Sequence, residues 1–96
     1  MDKIAFLTTL EDVIQDRLSN PREGSYTATL AAGGPLKMAQ KFGEEAVETV
    51  IAAAAEDDGR LTSEAADLLY HLIVLLRLRG LSLDDVAAEL EQRHSA

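Results

Sequence analysis

The chain contains no cysteine and no tryptophan, and aromatic residues make up only 4% of it. Without thiols there are no disulfides and no thiolate metal sites. Apolar residues nevertheless reach 47%, with alanine and leucine dominating, which is the composition of a helical protein with an aliphatic core. Positive charge is scarce as well. Lys and Arg number 9 against 17 Asp and Glu, a net charge of −8, whereas phosphate backbones require clustered cations. Binding to DNA or RNA through a basic face is therefore excluded. A soluble monomer or dimer, or a protein that binds cations, is compatible with this charge.

Long apolar runs are missing too. The most apolar run, Leu68 to Leu76, contains His71 and is too short to cross a bilayer. The opening MDKIAFLTTLEDV carries acids and has neither the apolar stretch nor the cleavage site of a signal peptide. A cytoplasmic protein without membrane association is the expectation. At 96 residues one domain spanning 1–96 is expected. It would bury roughly two-thirds of its unfolded surface and be marginal as a monomer.

What is present is helical periodicity, with no alternation long enough to build a sheet. Ile4, Leu7, Leu10, Ile14 and Leu18 recur at helical spacing, and Asn20-Pro21 with Gly24 ends that segment. The stretch GSYTATLAAGG, residues 24–34, is expected to be a connection. Pro35 suits the first turn of a second helix to about Glu56, after which Asp57-Asp58-Gly59 breaks the chain. A third helix from about Leu61 to Arg79 is expected to stop at Gly80. Ser82 with Asp85 resembles a capping box for a short fourth helix to about Arg93. The expected fold class is all-α, an antiparallel bundle of four helices per chain.

Leu68, Leu69, Leu72, Ile73, Val74, Leu75, Leu76 and Leu78 surround nearly the whole third helix. A helix that is apolar all round must be buried all round, which one small chain struggles to achieve. The core is therefore expected to be completed by a homodimer.

The segment KMAQKFGEEAVETV, residues 37–50, gathers charge on one stripe. At about 100° per residue, Lys37, Lys41, Glu44, Glu45 and Glu48 project within an arc of roughly 100°. Alone, such a stripe is an ordinary solvated face with pairs such as Lys41 and Glu45. A second acidic pair, Glu64 and Asp67, repeats the spacing on the third helix. An acid like Glu64 in a first turn favours the helix dipole, but Asp67 precedes an apolar run where unpaired charge is costly.

Helices two and three, joined by a short break, should form an antiparallel hairpin. Glu48 and Asp67 then lie within about one turn of being level, with Glu45 and Glu64 a turn out on each side. Facing carboxylates with oxygen ligands only suggest a hard divalent cation, most simply Mg²⁺, which keeps waters and binds a substrate's phosphates.

The ordered set Glu45-x-x-Glu48 and Glu64-x-x-Asp67 resembles the all-α nucleoside-triphosphate pyrophosphatases, the MazG-like superfamily. Within it, SYT, KMAQKFGEEAVE and EAADLLYHLIVLL resemble the phosphoribosyl-ATP pyrophosphatases of histidine biosynthesis, over nearly the whole chain. The resemblance implies hydrolysis of the α–β phosphoanhydride of 1-(5-phosphoribosyl)-ATP to phosphoribosyl-AMP and pyrophosphate. It implies Mg²⁺ on Glu45, Glu48, Glu64 and Asp67. Lys37 and Lys41 would face the substrate phosphates, and Ser25, Tyr26 and Thr27 would offer hydroxyls to phosphate or ribose.

Glu44 joins Glu45 and Glu48 among the candidate catalytic acids, as an orienting group or general base, or is merely a solvated neighbour. His71 either lines the site or is a satisfied buried residue. No cyclohydrolase segment is recognised, so the next step is expected in another protein. Two other readings stand beside this one: a house-cleaning nucleoside-triphosphate pyrophosphatase and a non-catalytic helical dimerisation module.

Overall fold

A computed structural model describes residues 2–95. They form α1 (Phe6–Ser19), α2 (Tyr26–Ala32), α3 (Gly34–Ala55), α4 (Asp58–Leu78) and α5 (Leu83–His94), with no strand among the described residues. The all-α expectation holds, but the helix count is five rather than four. The additional element is α2, inside the stretch expected to be a connection. It is only 7 residues long, too short to display a helical period. Ser25 begins it, its side chain accepting a hydrogen bond from the Ala28 amide at 3.2 Å.

Local chemistry explains the other boundaries. Proline occupies the first turn of α3, where its missing N–H is no loss. Helix α4 begins about three residues earlier than the sequence suggested. Asp57 does not merely break the chain: its side chain accepts from the Arg60 amide at 2.8 Å and caps the next helix. At the far end Gly80 adopts φ +74°, and the amides of Gly80 and Leu81 donate back to the carbonyls of Arg77 and Leu76. This closes α4 by the expected glycine stop. Ser82 and Asp85 form the expected reciprocal cap of α5.

The core comprises Ile14 of α1, Met38 of α3, and Ile73 and Val74 of α4, with Leu10, Leu18, Leu30, Leu69, Tyr70, Leu75 and Leu83 packed around them. Helices α3 and α4 make the most extensive pairing. Thr49 bridges them: its hydroxyl proton is shared between the carbonyl of Glu45 one turn back, at 2.8 Å, and that of Glu64 across the hairpin, at 3.2 Å.

Of the apolar girdle on α4, Ile73 and Val74 alone are fully buried, whereas Leu68, Leu69, Leu72, Leu75 and Leu76 remain half-buried and Leu78 is exposed. On α3, Leu36, Val47, Val50 and Ile51 face outward. No helix among the described residues is long and apolar enough to cross a membrane.

Candidate metal and substrate site

The hairpin turns three carboxylates onto one another. Glu45 and Glu48 from α3 and Glu64 from α4 each offer an oxygen, and these atoms all lie within 4.8 Å of one another. Residues 45 and 48 share a face because they are three apart on a helix, and the hairpin that Thr49 bridges brings Glu64 opposite them. Glu45 and Glu64 are buried at 5% and 6% exposure, while Glu48 is exposed.

Each buried carboxylate is half satisfied. Glu45 Oε1 is paired with Lys41 Nζ at 3.2 Å and Glu64 Oε1 with Arg60 Nη2 at 2.8 Å. The second oxygens, Glu45 Oε2 and Glu64 Oε2, are buried without a hydrogen-bond partner. Two such oxygens are a costly arrangement unless something positive joins them. The strain shows in Glu64: burial raises its pKa above the ordinary carboxylate value. The nearness of Glu48 raises it further, as does the charge of Asp67, while Arg60 acts against them. Buried acidic oxygens without partners, in an all-oxygen donor set, fit a hard divalent cation such as Mg²⁺.

Asp67 lies one turn beyond Glu64 and outside the group of three. It is exposed, close enough for its charge to act on Glu64 and on Tyr26. Glu44 is also exposed, accepting from Gln40 Nε2 at 3.2 Å. Lys41 is half-buried against Glu45, which raises its pKa by hydrogen bonding, with a further contribution from Tyr26. Lys37, a turn earlier, is exposed and has no ion-pair partner among the described residues.

Helix α2 brings the serine–tyrosine–threonine triplet against α4. The Ser25 hydroxyl is engaged in capping. The Tyr26 hydroxyl sits 2.8 Å from His71 Nε2, and His71 Nδ1 sits 2.6 Å from the Asp67 carbonyl oxygen. A carbonyl can only accept, so Nδ1 carries a proton; in the neutral imidazole Nε2 then accepts and the tyrosine donates. His71 is buried at 4% exposure, a satisfied histidine that positions Tyr26 next to the cluster. Burial raises the Tyr26 pKa, Lys41 lowers it, and Glu45 raises it again; Tyr26 therefore stands within the field of the Lys41–Glu45 pair. Thr27 is hydrogen-bonded to the Tyr70 hydroxyl, and the rings of Tyr26 and Tyr70 stack with centroids 6.1 Å apart.

Arg60 and Tyr70 went unnoticed in the sequence. Arg60 had a signal, since it stands four residues before Glu64 on one helix face. Tyr70 had none, because its partner Thr27 is 43 residues away.

A helical hairpin that converges carboxylates from both arms, with cations at the margin, is the arrangement that the resemblance to the all-α nucleoside-triphosphate pyrophosphatases leads one to expect. The chain belongs to the phosphoribosyl-ATP pyrophosphohydrolase family, whose model matches residues 7–94. It is 58% identical over 89 residues to the phosphoribosyl-ATP pyrophosphatase of Sphingopyxis alaskensis, covering 92% of this chain and 82% of that one. The protein of the same name from Pyrobaculum neutrophilum is 55% identical over 87 residues, covering 91% of this chain and 93% of the relative. A histidine biosynthesis bifunctional protein HisIE from Xanthomonas axonopodis pv. citri is 53% identical over 89 residues, of which this chain spans only 43%.

Proposed function

We propose that the protein hydrolyses the α–β phosphoanhydride of 1-(5-phosphoribosyl)-ATP, releasing pyrophosphate and phosphoribosyl-AMP in histidine biosynthesis. The observation that carries this reading is the pair of buried, unpartnered oxygens on Glu45 and Glu64, converging with Glu48 in a chain of this family. Glu45, Glu48 and Glu64 hold Mg²⁺, and Asp67 completes the set from the edge. When bound, the ion supplies positive charge to the phosphates and acidity to the attacking water.

The chain's own residues do the rest. Lys41, anchored by Glu45, and Lys37, free at the surface, offset the remaining phosphate charge. Tyr26, oriented by His71, offers its hydroxyl at the cluster's edge, and Thr27 with Tyr70 holds α2 in place behind it. Ser25 acts through α2, by capping it. Glu44 stands at the outer edge of the stripe, where it can order water.

A homodimer in the cytoplasm is part of the same reading. The surface of 6753 Å² exceeds the ~5,400 Å² expected of a compact monomer of this mass. The radius of gyration, 14.5 Å, likewise exceeds the ~12.5 Å expected for this length. Covering Leu36, Val47, Val50 and Ile51 with a second copy supplies the missing burial.

Incubating the protein with phosphoribosyl-ATP, ATP or dUTP, with and without Mg²⁺, and measuring pyrophosphate tests the proposal. Release from phosphoribosyl-ATP in excess of the others, only with Mg²⁺, is expected. Equal or greater release from ATP or dUTP points to the house-cleaning alternative.

A further inference from the structure

Arg60 stands where the cluster opens to solvent. With Glu48, Ile51, Glu56 and Glu64 it lines a cavity of about 240 Å³, and it is the cation among those residues. Its Nη2 pairs with Glu64 Oε1 at 2.8 Å, and its Nε approaches Glu56 Oε1 at 3.8 Å. The two partners differ in freedom. The Glu64 side chain is 7% exposed and that of Arg60 58% exposed. The carboxylate is held in the hairpin, whereas the guanidinium is a long side chain on the surface, which water can solvate once another cation takes its place on Glu64.

We propose that Arg60 is a displaceable counter-cation, which neutralises Glu64 while no divalent ion is bound and passes to the substrate's phosphates when one is. The proposal rests on reading the carboxylate cluster as a divalent-cation site. The physical basis is competition. A dication placed among Glu45, Glu48 and Glu64 draws on the same carboxylate that Arg60 holds, and positive charges repel at this range. Once released, the guanidinium stays at the cavity mouth because it is tethered four residues from Glu64. Its planar fork suits phosphate oxygens, including those of pyrophosphate. Arg60 is thus a positioning residue toward the ion and a binding residue toward the phosphates.

Calorimetry of Mg²⁺ binding to the full chain without substrate tests this, comparing wild type, Arg60→Gln and Glu64→Gln. Loss of the competing cation should tighten Mg²⁺ binding in Arg60→Gln by roughly three- to tenfold, while Glu64→Gln weakens it. Pyrophosphate added to the Mg²⁺-loaded protein should bind more weakly to Arg60→Gln than to wild type. If wild type binds Mg²⁺ and Glu64→Gln does not, yet Arg60→Gln binds it equally or less tightly, the proposal is overturned while the metal site stands. If wild type binds no Mg²⁺, the metal reading falls and takes the proposal with it. A measurement on wild type alone covers the case of a variant that does not fold. The Arg60 side-chain ¹⁵N resonances should change from an ion-paired to a freely exchanging state on Mg²⁺ saturation, and unchanged resonances contradict displacement.

Discussion

The Thr49 hydroxyl bonds the Glu64 carbonyl across the hairpin at 3.2 Å while holding that of Glu45 at 2.8 Å. One side chain therefore ties together the backbones that carry two of the three clustered carboxylates. Replacing it with valine keeps the shape and removes both bonds. Thr49→Val should lower stability by about 1 kcal/mol and weaken Mg²⁺ binding, measured by thermal unfolding and calorimetry. Unchanged Mg²⁺ affinity would mean that the register does not depend on this hydroxyl.

Glu48→Gln and Glu64→Gln should each reduce turnover by roughly 100-fold or more and keep the helical circular dichroism of wild type. Because like charges crowd here, neither change should destabilise the metal-free fold strongly. Near wild-type turnover in either variant at limiting Mg²⁺ would remove that residue from the site.

The hairpin and its caps were legible in the sequence because their signals are local: Pro35, the glycine stop at Gly80, and the Ser82–Asp85 box. The acidic pairs were legible because each occupies one helix face. Spacing from the break placed Glu48 and Asp67 within about one turn of being level, and the pairing of Thr49 with Glu64 falls inside that margin. The margin was too wide to single out which acids meet: Glu64 groups with Glu45 and Glu48, and Asp67 stays at the edge. Helix α2 was missed because two turns carry no period, and its anchors, Tyr26 on His71 and Thr27 on Tyr70, are long-range.

Acidity follows from Glu64. Its pKa is raised above the ordinary 4.5, chiefly by burial. The folded state therefore binds this proton more tightly than the unfolded state, and the resulting stability is present below pH 4.5 and lost as pH rises through the raised value. The melting temperature of metal-free wild type should fall over that interval relative to Glu64→Gln, and Mg²⁺ should restore it by favouring the ionised form. Parallel pH profiles of the two proteins would contradict the assignment.

The two lysines should separate. Lys41→Ala strips Glu45 of its ion-pair partner and should cost ~1–3 kcal/mol of metal-free stability as well as raising KM. Lys37→Ala should raise KM with little effect on stability. Equal stability losses in both, measured by chemical denaturation, would show that exposure does not distinguish their roles.

Assembly rests on the outward side of α3, where Leu36 is 89% and Val50 67% exposed. Light scattering after size exclusion at micromolar concentration should give twice the 10.4 kDa chain mass, and Val50→Glu should shift it toward the monomer. A stable, active monomer of wild type would contradict the proposed dimer.

The central claim is that the carboxylate cluster holds Mg²⁺ for hydrolysis of phosphoribosyl-ATP. Its most direct test is initial-rate pyrophosphate release from that substrate as Mg²⁺ is titrated into the metal-free wild type and into Glu48→Gln. Saturable, Mg²⁺-dependent release by wild type, abolished in the variant, is the predicted result. Release that proceeds equally with Mg²⁺ chelated, or that survives in Glu48→Gln, would contradict it.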